Sequence, residues 1–509
     1  MANEVGTASN LEDLFGKIVS FLTTNAALVA ASQQWQVLRQ YRDNVAGIST
    51  NLVESATYAN RRILHSFRYE PRSIGSNIPD NTTTGSTTCT SYVAGTSQIT
   101  ITLKAAKAIA TVRMQAANDG TGTSGMLQNF RLQYSDDNST WTTALTVNSN
   151  PTYILHQTRD FAVPGTPGAH LYWRIIIDRK QDGAATGSVY WKCLLLLDAG
   201  GDVANHFGSE VLLKATGTSG TDAIYTGIRS EYDAANGWYN LFLNGYTGYD
   251  PNETSWFKQP GAIPHYQSGS PLDVPMVPCW NVAMPYWLRA NGRSFVFGVK
   301  VSTSFEGGYL GFILPYATPA QYPYPLAVGG SLVPTDGDRS TPWRYSYNNQ
   351  KHSVFPIPAA ESSPTGTTET ISCSLYLRTP DGVWGYVGNR YGGSSDANAL
   401  TEMTQPLSYP YTQAGLRRGV WPASVRNAGA SAPRRDYREV LGGGYLLQPL
   451  IIHQRLPTPA VWGELEGCMA ISGFSNASEN TTTYAGTNYV IFQNVARTEV
   501  HEYWAMALN

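Results

Sequence analysis

A few groups of residues in this chain have the types and spacing that could do chemistry. Gly120, Gly122 and Gly125 fit the G-x-G-x-x-G pattern of a pyrophosphate cradle. That chemistry needs the loop to open a helix whose amide N–H groups hold the phosphates. Here a strand-like run, Asn129 to Tyr134, follows instead, so the glycines read as a loop between strands. Asp136 and Asp137 could be paired carboxylates or calcium ligands. Adjacent in a Ser-Asp-Asp-Asn turn, however, their side chains diverge. Asp336-Gly337-Asp338 lacks the further ligands of a calcium loop and also reads as a turn. The 8 histidines show no metal-ligand spacing, and there is no H-E-x-x-H, G-x-S-x-G or P-loop. Cys89, Cys193, Cys279, Cys373 and Cys468 lie far apart and are odd in number, which indicates neither a zinc site nor a disulfide framework. No cofactor and no metal is expected.

Arginine is concentrated once, at Arg417, Arg418, Arg426, Arg434, Arg435 and Arg438. Such a patch could meet acidic polymers, phosphates or nucleic acid. Asp436 and Glu439 are interleaved with it, and arginine forks commonly fix subunit contacts, so interface or internal pairing is the stronger reading.

The elements that must position these residues change character along the chain. Ser9 with Glu12 fits a capping box, and Leu11, Leu14, Phe15, Ile18, Val19 and Leu22 follow at helical spacing. A second helical pattern holds Trp35, Leu38 and Tyr41 and ends near Gly47. Two short helices cannot bury these stripes against each other. They dock either onto another part of the chain or onto another subunit, the latter making Leu14, Ile18 and Trp35 interface residues. A strand-like run, Arg61 to Tyr69, comes next. Residues 76–90 are a Thr/Ser/Asn/Gly tract that reads as a linker or exposed loop.

Beyond it the period switches to two. Strands run through Ile99 to Leu103, Ala110 to Met114, Phe130 to Tyr134, Trp141 to Val147, Tyr153 to Val163, Leu171 to Ile177 and Val189 to Leu197. Seven short strands at this spacing predict a β-sandwich over 85–198. Residues 199–509 show no helical pattern and read as one large β domain or two packed ones, with strands such as Ser294 to Ser302, Ile371 to Arg378, Tyr445 to Ile452 and Asn488 to Gln493. Proline in Ala317 to Pro325 predicts an exposed loop that offers Tyr322 and Tyr324 to a partner. The fold class is therefore mainly β, with a helical N-terminal docking region over 1–75.

Composition bounds what such a chain does. At 509 residues it holds more than one core, and apolar residues make up 42% of it. Charged residues are 14%, against roughly 25% in an ordinary soluble domain. The surface is therefore covered by uncharged polar groups and by 31 Tyr and 13 Trp, which suits permanent protein contacts. A net charge of −2 gives no drive towards nucleic acid or an anionic membrane. No signal peptide is read at the N-terminus, and no uninterrupted apolar run suits a transmembrane helix. The expected setting is a reducing cytosol.

Two resemblances add to this reading. The run FRLQYSDDNSTWTTALTV (Phe130 to Val147), with Phe161 and then AHLYWRIIID (Ala169 to Asp178), resembles the discoidin, or coagulation factor 5/8 type C, family. The resemblance implies a galactose-binding-like jelly roll that binds glycans or lipids through loops at one end. Gly120, Gly122, Gly125, His156 and Arg159 are the loop positions where a glycan contact is expected. The bracketing disulfide of that family is not expected for Cys89 and Cys193 in a reducing setting. Longer stretches resemble virion structural proteins of tailed phages. They include LKATGTSGTDAIYTGIRSEYD (Leu213 to Asp233), VPCWNVAMPYWLRANGRSFVFGVKVST (Val277 to Thr303), VWGELEGCMAISGFSNASENT (Val461 to Thr481) and the N-terminal TASNLEDLFGKIVSFLT. This implies a particle component near the tail end, and it implies no reaction.

The combined expectation is a non-enzymatic component of a phage tail tip, baseplate or fibre, made in the host cytoplasm and carried in the virion. Its partners would be other tail proteins and copies of itself, with no nucleic acid and no membrane insertion. Alternative readings are a host-glycan adhesin acting through the sandwich, with bacterial surface polysaccharide as partner, and a polysaccharide-degrading tail enzyme, which motif absence does not exclude.

Overall fold

The computed structural model of the protein describes residues 1–54, 87–116, 123–148, 150–154, 157–165, 167–191, 193–199, 204–205, 208–218, 220, 222–234, 237–253, 256, 259–263, 274–330, 375–387, 417–421, 444–456, 459–493 and 503–508. The chain is mostly β and forms two compact units, one of residues 1–39 with 211–509 and one of residues 40–210.

The smaller unit is a jelly roll. Its five-stranded sheet runs, in spatial order, Val45–Thr50, Ser97–Lys107, His170–Lys180, Leu127–Ser135 and Thr142–Val147. All neighbours in it are antiparallel. Thr158–Ala162, Thr111–Gln115 and Cys193–Leu197 form a three-stranded sheet, and Thr186–Trp191, Thr87–Val93 and Val53–Glu54 form another. Alternation sends Ile99, Ile101, Phe130, Leu132, Trp173 and Ile175 into one fully buried core. The opposite face of the central strands carries Gln98, Gln133 and Arg174. Burying each core side chain contributes about 1.5–3 kcal/mol before the entropy of ordering is subtracted.

This unit starts earlier than residue 85. Val45–Thr50 pairs with Ser97–Lys107, and Val53–Glu54 with Thr87–Val93. Residues 1–75 are accordingly not one helical region, and 76–90 is not simply a linker, since Thr87–Val93 is a strand. The expected second helix is also absent, because Gln36–Asp43 and Val45–Thr50 are strands. Trp35, Leu38 and Tyr41 fit a helix by their local spacing, but Gln36–Asp43 takes its place in a sheet between Ala204–Asn205 and Glu210–Ala215, which are distant in the chain. Ser32, in the left-handed region at φ 55°, turns the chain out of the helical segment before them. The run Arg61 to Tyr69 lies outside the described residues.

In the larger unit, helix Leu11–Thr24 is capped by Asn10, whose side chain accepts from Asp13 N at 2.9 Å. Asp13 reaches back to Ser9 N at 2.8 Å. The capping box is thus Asn10/Asp13, one residue later than Ser9/Glu12, and Glu12 instead accepts from the Ser230 hydroxyl. The segment Leu11–Ala30 is long and apolar enough to cross a membrane by length and composition. Its Leu11, Leu14, Phe15, Ile18 and Leu22 are nevertheless buried in this unit's core beside Phe295 and Phe297. The chain itself covers the stripe that could have met another subunit.

One sheet of this unit runs Ala2–Ala8, Met284–Ala290, Ser294–Val301, Ser304–Phe312, Leu326–Gly329, Leu375–Arg378 and Trp384–Val387. A second runs Arg417–Trp421, Gln448–Leu456, Ala460–Ile471, Tyr503–Ala507, Thr487–Gln493 and Thr481–Tyr484, and Glu210–Ala215, Ile224–Asp233, Trp238–Tyr246 and Met276–Pro278 follow one another in a third.

Candidate functional site

The jelly roll gathers three loops at one end, because Gln115 pairs with both Thr158 and Cys193 while Lys180 pairs with Leu127. These registers bring together the loop before Leu127, the loop before Thr158 and the turn after Lys180. The turn joins the other two. Gln181 N donates to Met126 O at 2.9 Å, and Asp182 N to Ser124 O at 3.0 Å. The Gln181 side chain donates to Thr123 Oγ1 and accepts from Tyr153 N, both at 3.0 Å. Two of the loops named from sequence therefore converge, through a residue that sequence reading missed. A lone glutamine after a strand carries no local signal of such a role.

Arg159 is not placed to contact a ligand directly. Its Nη1 donates to Asn150 Oδ1 at 2.6 Å and Pro151 O at 2.5 Å. Its Nη2 donates to Thr152 O at 2.9 Å and Gln157 Oε1 at 2.8 Å. The guanidinium carbon lies 4.2 Å from the Tyr153 ring centroid. Both terminal nitrogens thus hold the 150–157 loop in shape, which makes Arg159 a positioning residue. Ile154, 69% exposed, is the apolar crest of that loop. Gly125 is buried. Gly120, Gly122 and His156 lie outside the described residues.

Electrostatics at this end are local. Lys180 Nζ donates to Asp182 at 2.7 Å. Burial pushes the Asp182 carboxyl up, but the Lys180 bond and the Ala184 N–H outweigh it and leave it below the usual carboxylate range.

At the opposite end the Ser135–Thr140 turn behaves as Asp-rich turns do. Asp137 accepts from Thr140 N at 2.7 Å and Ser139 N at 2.8 Å, and these bonds hold its carboxyl well below the usual range. Asp136 Oδ1 stands 2.9 Å from His170 Nδ1, whose ring stacks on Tyr134 with centroids 3.9 Å apart. The two carboxylates diverge, as adjacency in a turn requires. Among the described residues no group of His, Cys, Asp and Glu could hold a metal.

The interface residues named from sequence are placed differently from their expectation. Leu14, Ile18 and Trp35 are at most 1% exposed, and Trp35 Nε1 donates to Asn291 O at 2.8 Å. Tyr322 is 1% exposed and donates to Arg378 O, while Tyr324 donates to Tyr246 O at 2.8 Å. The proline-rich loop is held down by its tyrosines, which face this chain and not a partner. Arg417 and Arg418 lie on a strand paired with Gln448–Leu456. Their side chains, together with Arg434 and Arg435, lie outside what is described.

Among the described residues of the larger unit, Glu466 centres a buried polar network. Glu466 accepts from Arg293 Nη2 at 3.0 Å, Asn291 Nδ2 at 2.9 Å and Ser294 Oγ at 2.8 Å. Burial pushes its carboxyl up, but Arg293 outweighs that and holds it below the usual range. Gly467, at φ 75°, gives Arg289 its space, since a Cβ there would come within 2.1 Å of the guanidinium carbon. The partners of Glu466 named here belong to the hairpin joining Met284–Ala290 to Ser294–Val301, so the network ties that hairpin to Ala460–Ile471.

Residues 69–189 match the family model of the F5/8 type C domain, so the smaller unit carries a discoidin-like domain within a longer chain. No curated protein matches the sequence. Solved structures similar to part of the chain include a carbohydrate-binding module from Clostridium perfringens in complex with GalNAc-β-1,3-galactose, at 13% identity and TM-score 0.16, covering 19% of this chain and 63% of that one. The family 32 module of Streptococcus pneumoniae EndoD is 14% identical with TM-score 0.20, over 31% of this chain and 99% of that chain. The family 32 module of C. perfringens NanJ, in complex with galactose, is 10% identical with TM-score 0.20, over 31% and 98%.

Proposed function

We propose that this chain is a structural component of a phage tail apparatus whose jelly roll attaches to a host-surface saccharide through its three-loop end. The observation that carries the saccharide reading is the joining of the three loops by Gln181, with Arg159 fixing the 150–157 loop, on a domain that matches the F5/8 type C family. A sugar offers hydroxyls and an apolar C–H face. A preformed loop rim with backbone amides and an apolar crest such as Ile154 suits both, because little loop entropy remains to be lost on binding. The assembly reading rests on the resemblance of the long segments to tail proteins and on the low charge with abundant Tyr and Trp. The proposal includes no reaction. A glycan array probed with the full chain is expected to show binding to bacterial surface saccharides. Gold-labelled antibody is expected to decorate the tail end of particles. No binding at millimolar saccharide overturns the attachment part, and particles free of label overturn the assembly part.

A further inference from the structure

We propose that the outer face of the five-stranded sheet is a second ligand site, a receptor for the carboxylate of an acidic sugar, centred on Arg174 and Trp141. The sandwich uses its other hydrogen-bonded arginines internally. Arg113 forms a two-pronged pair with Asp160, both bonds 2.7 Å. Arg131 holds Asp178 at 2.7 and 2.9 Å, and Arg159 serves the 150–157 loop. Arg174 meets no carboxylate among the described residues. Its Nε donates to Gln133 Oε1 at 2.7 Å and its Nη1 to Gln98 Oε1 at 3.4 Å, both neutral amide oxygens.

The guanidinium is nonetheless fixed in place. Arg174 sits on the central strand His170–Lys180, between the strands that carry Gln98 and Gln133. Gln133 is 7% exposed, and its amide nitrogen donates to Thr143 Oγ1 at 2.9 Å, so its oxygen is turned towards Arg174. Trp141 also packs against the cation, with Arg174 Cζ over its ring, 4.1 Å from the centroid. Burial and the neighbouring Arg131 both disfavour the charge of Arg174, and no carboxylate among the described residues offsets them.

A half-buried cation with an unused second terminal nitrogen is a place where an arriving anion gains more than it would in bulk water. The indole beside it supplies an apolar face for the C–H side of a sugar ring. One cation in a chain of net charge −2 suits a single carboxylate per sugar and not a phosphodiester backbone, which requires several basic contacts. This site stands on different residues from the three-loop end and does not rest on that reading.

Saturation-transfer NMR on the full chain with methyl glucuronide and methyl glucoside tests it. The glucuronide is expected to bind about tenfold more tightly than the glucoside. Arg174→Gln is expected to remove that preference, and Arg113→Ala, which breaks the pair with Asp160, to leave it unchanged. Arg174→Lys keeps the charge and the stem but loses the fork. With unchanged circular dichroism it is expected to bind the glucuronide several-fold more weakly, by about the loss of one charge-assisted bond, and it decides the matter if Arg174→Gln fails to fold. Absence of glucuronide binding at about 10 mM, or equal binding by the wild type and a folded Arg174 variant, overturns the proposal and assigns Arg174 to covering the sheet.

Discussion

The two units use their arginines in opposite ways. The jelly roll leaves its arginine ion pairs partly exposed: the side chains of Arg113 and Asp160 are 29% and 46% exposed, and those of Arg131 and Asp178 34% and 25%. The larger unit takes Arg293 and Glu466 inside, at 22% and 12%. A surface pair trades water for a partner at little net gain, while a buried pair leaves a costly orphan if one member is removed. The comparison teaches that the sandwich is held by apolar packing and can vary its rim, whereas the larger unit depends on a few polar ties between strands.

The sharpest way to break that comparison is Glu466→Ala, which strands Arg293 in the interior. A loss of about 3–5 kcal/mol is expected in the larger unit, read by calorimetry as a lowered transition with the jelly-roll transition unmoved. Acid comes next. The Glu466 carboxyl is depressed in the folded state, so its contribution is complete above the unfolded carboxylate pKa and is lost as pH falls through the folded value. Calorimetry from neutral into acid solution should show the larger unit weakening, and Glu466→Gln should flatten that dependence. A pH-independent wild-type transition would contradict the role given to the network.

Arg159→Ala removes the bonds that shape one loop and is expected to cost about 1–3 kcal/mol locally. Hydrogen exchange should rise in residues 150–157 and not in the sheets, and saccharide affinity should fall at an unchanged unfolding midpoint. The smallest effect is expected from Arg113→Ala, less than about 1 kcal/mol, because its pair with Asp160 is partly solvated. A measured loss of several kcal/mol would mean that the jelly roll, too, relies on its charges.

Legibility from sequence followed the physical range of each signal. Period-two alternation gave away Leu127–Ser135 and His170–Lys180, since each inward residue must be apolar whatever its partner. The Asp137 turn was readable because its bonds close within a few residues. Gln36–Asp43 misled because spacing by three fits a helix locally, while the strand is decided by neighbours distant in the chain. Tyr322 and Tyr324 misled because a proline-rich run looks exposed until its hydroxyl partners, Arg378 O and Tyr246 O, are known. The three-loop end was only half legible. Its loops were named, but Gln181 was not.

The sequence by itself determined a mainly β chain with a sandwich and an amphipathic helix from Leu11, because pattern and turn chemistry are local properties of the chain, while the discoidin-like character rested on a resemblance. Tertiary structure alone decided that the helix stripe is covered by its own chain and that Arg159 positions a loop. It also decided that Arg174 meets no carboxylate among the described residues. The first and last depend on groups that meet across distant segments or neighbouring strands, and the Arg159 role on how a loop folds back on its own strand; a linear spacing does not carry either.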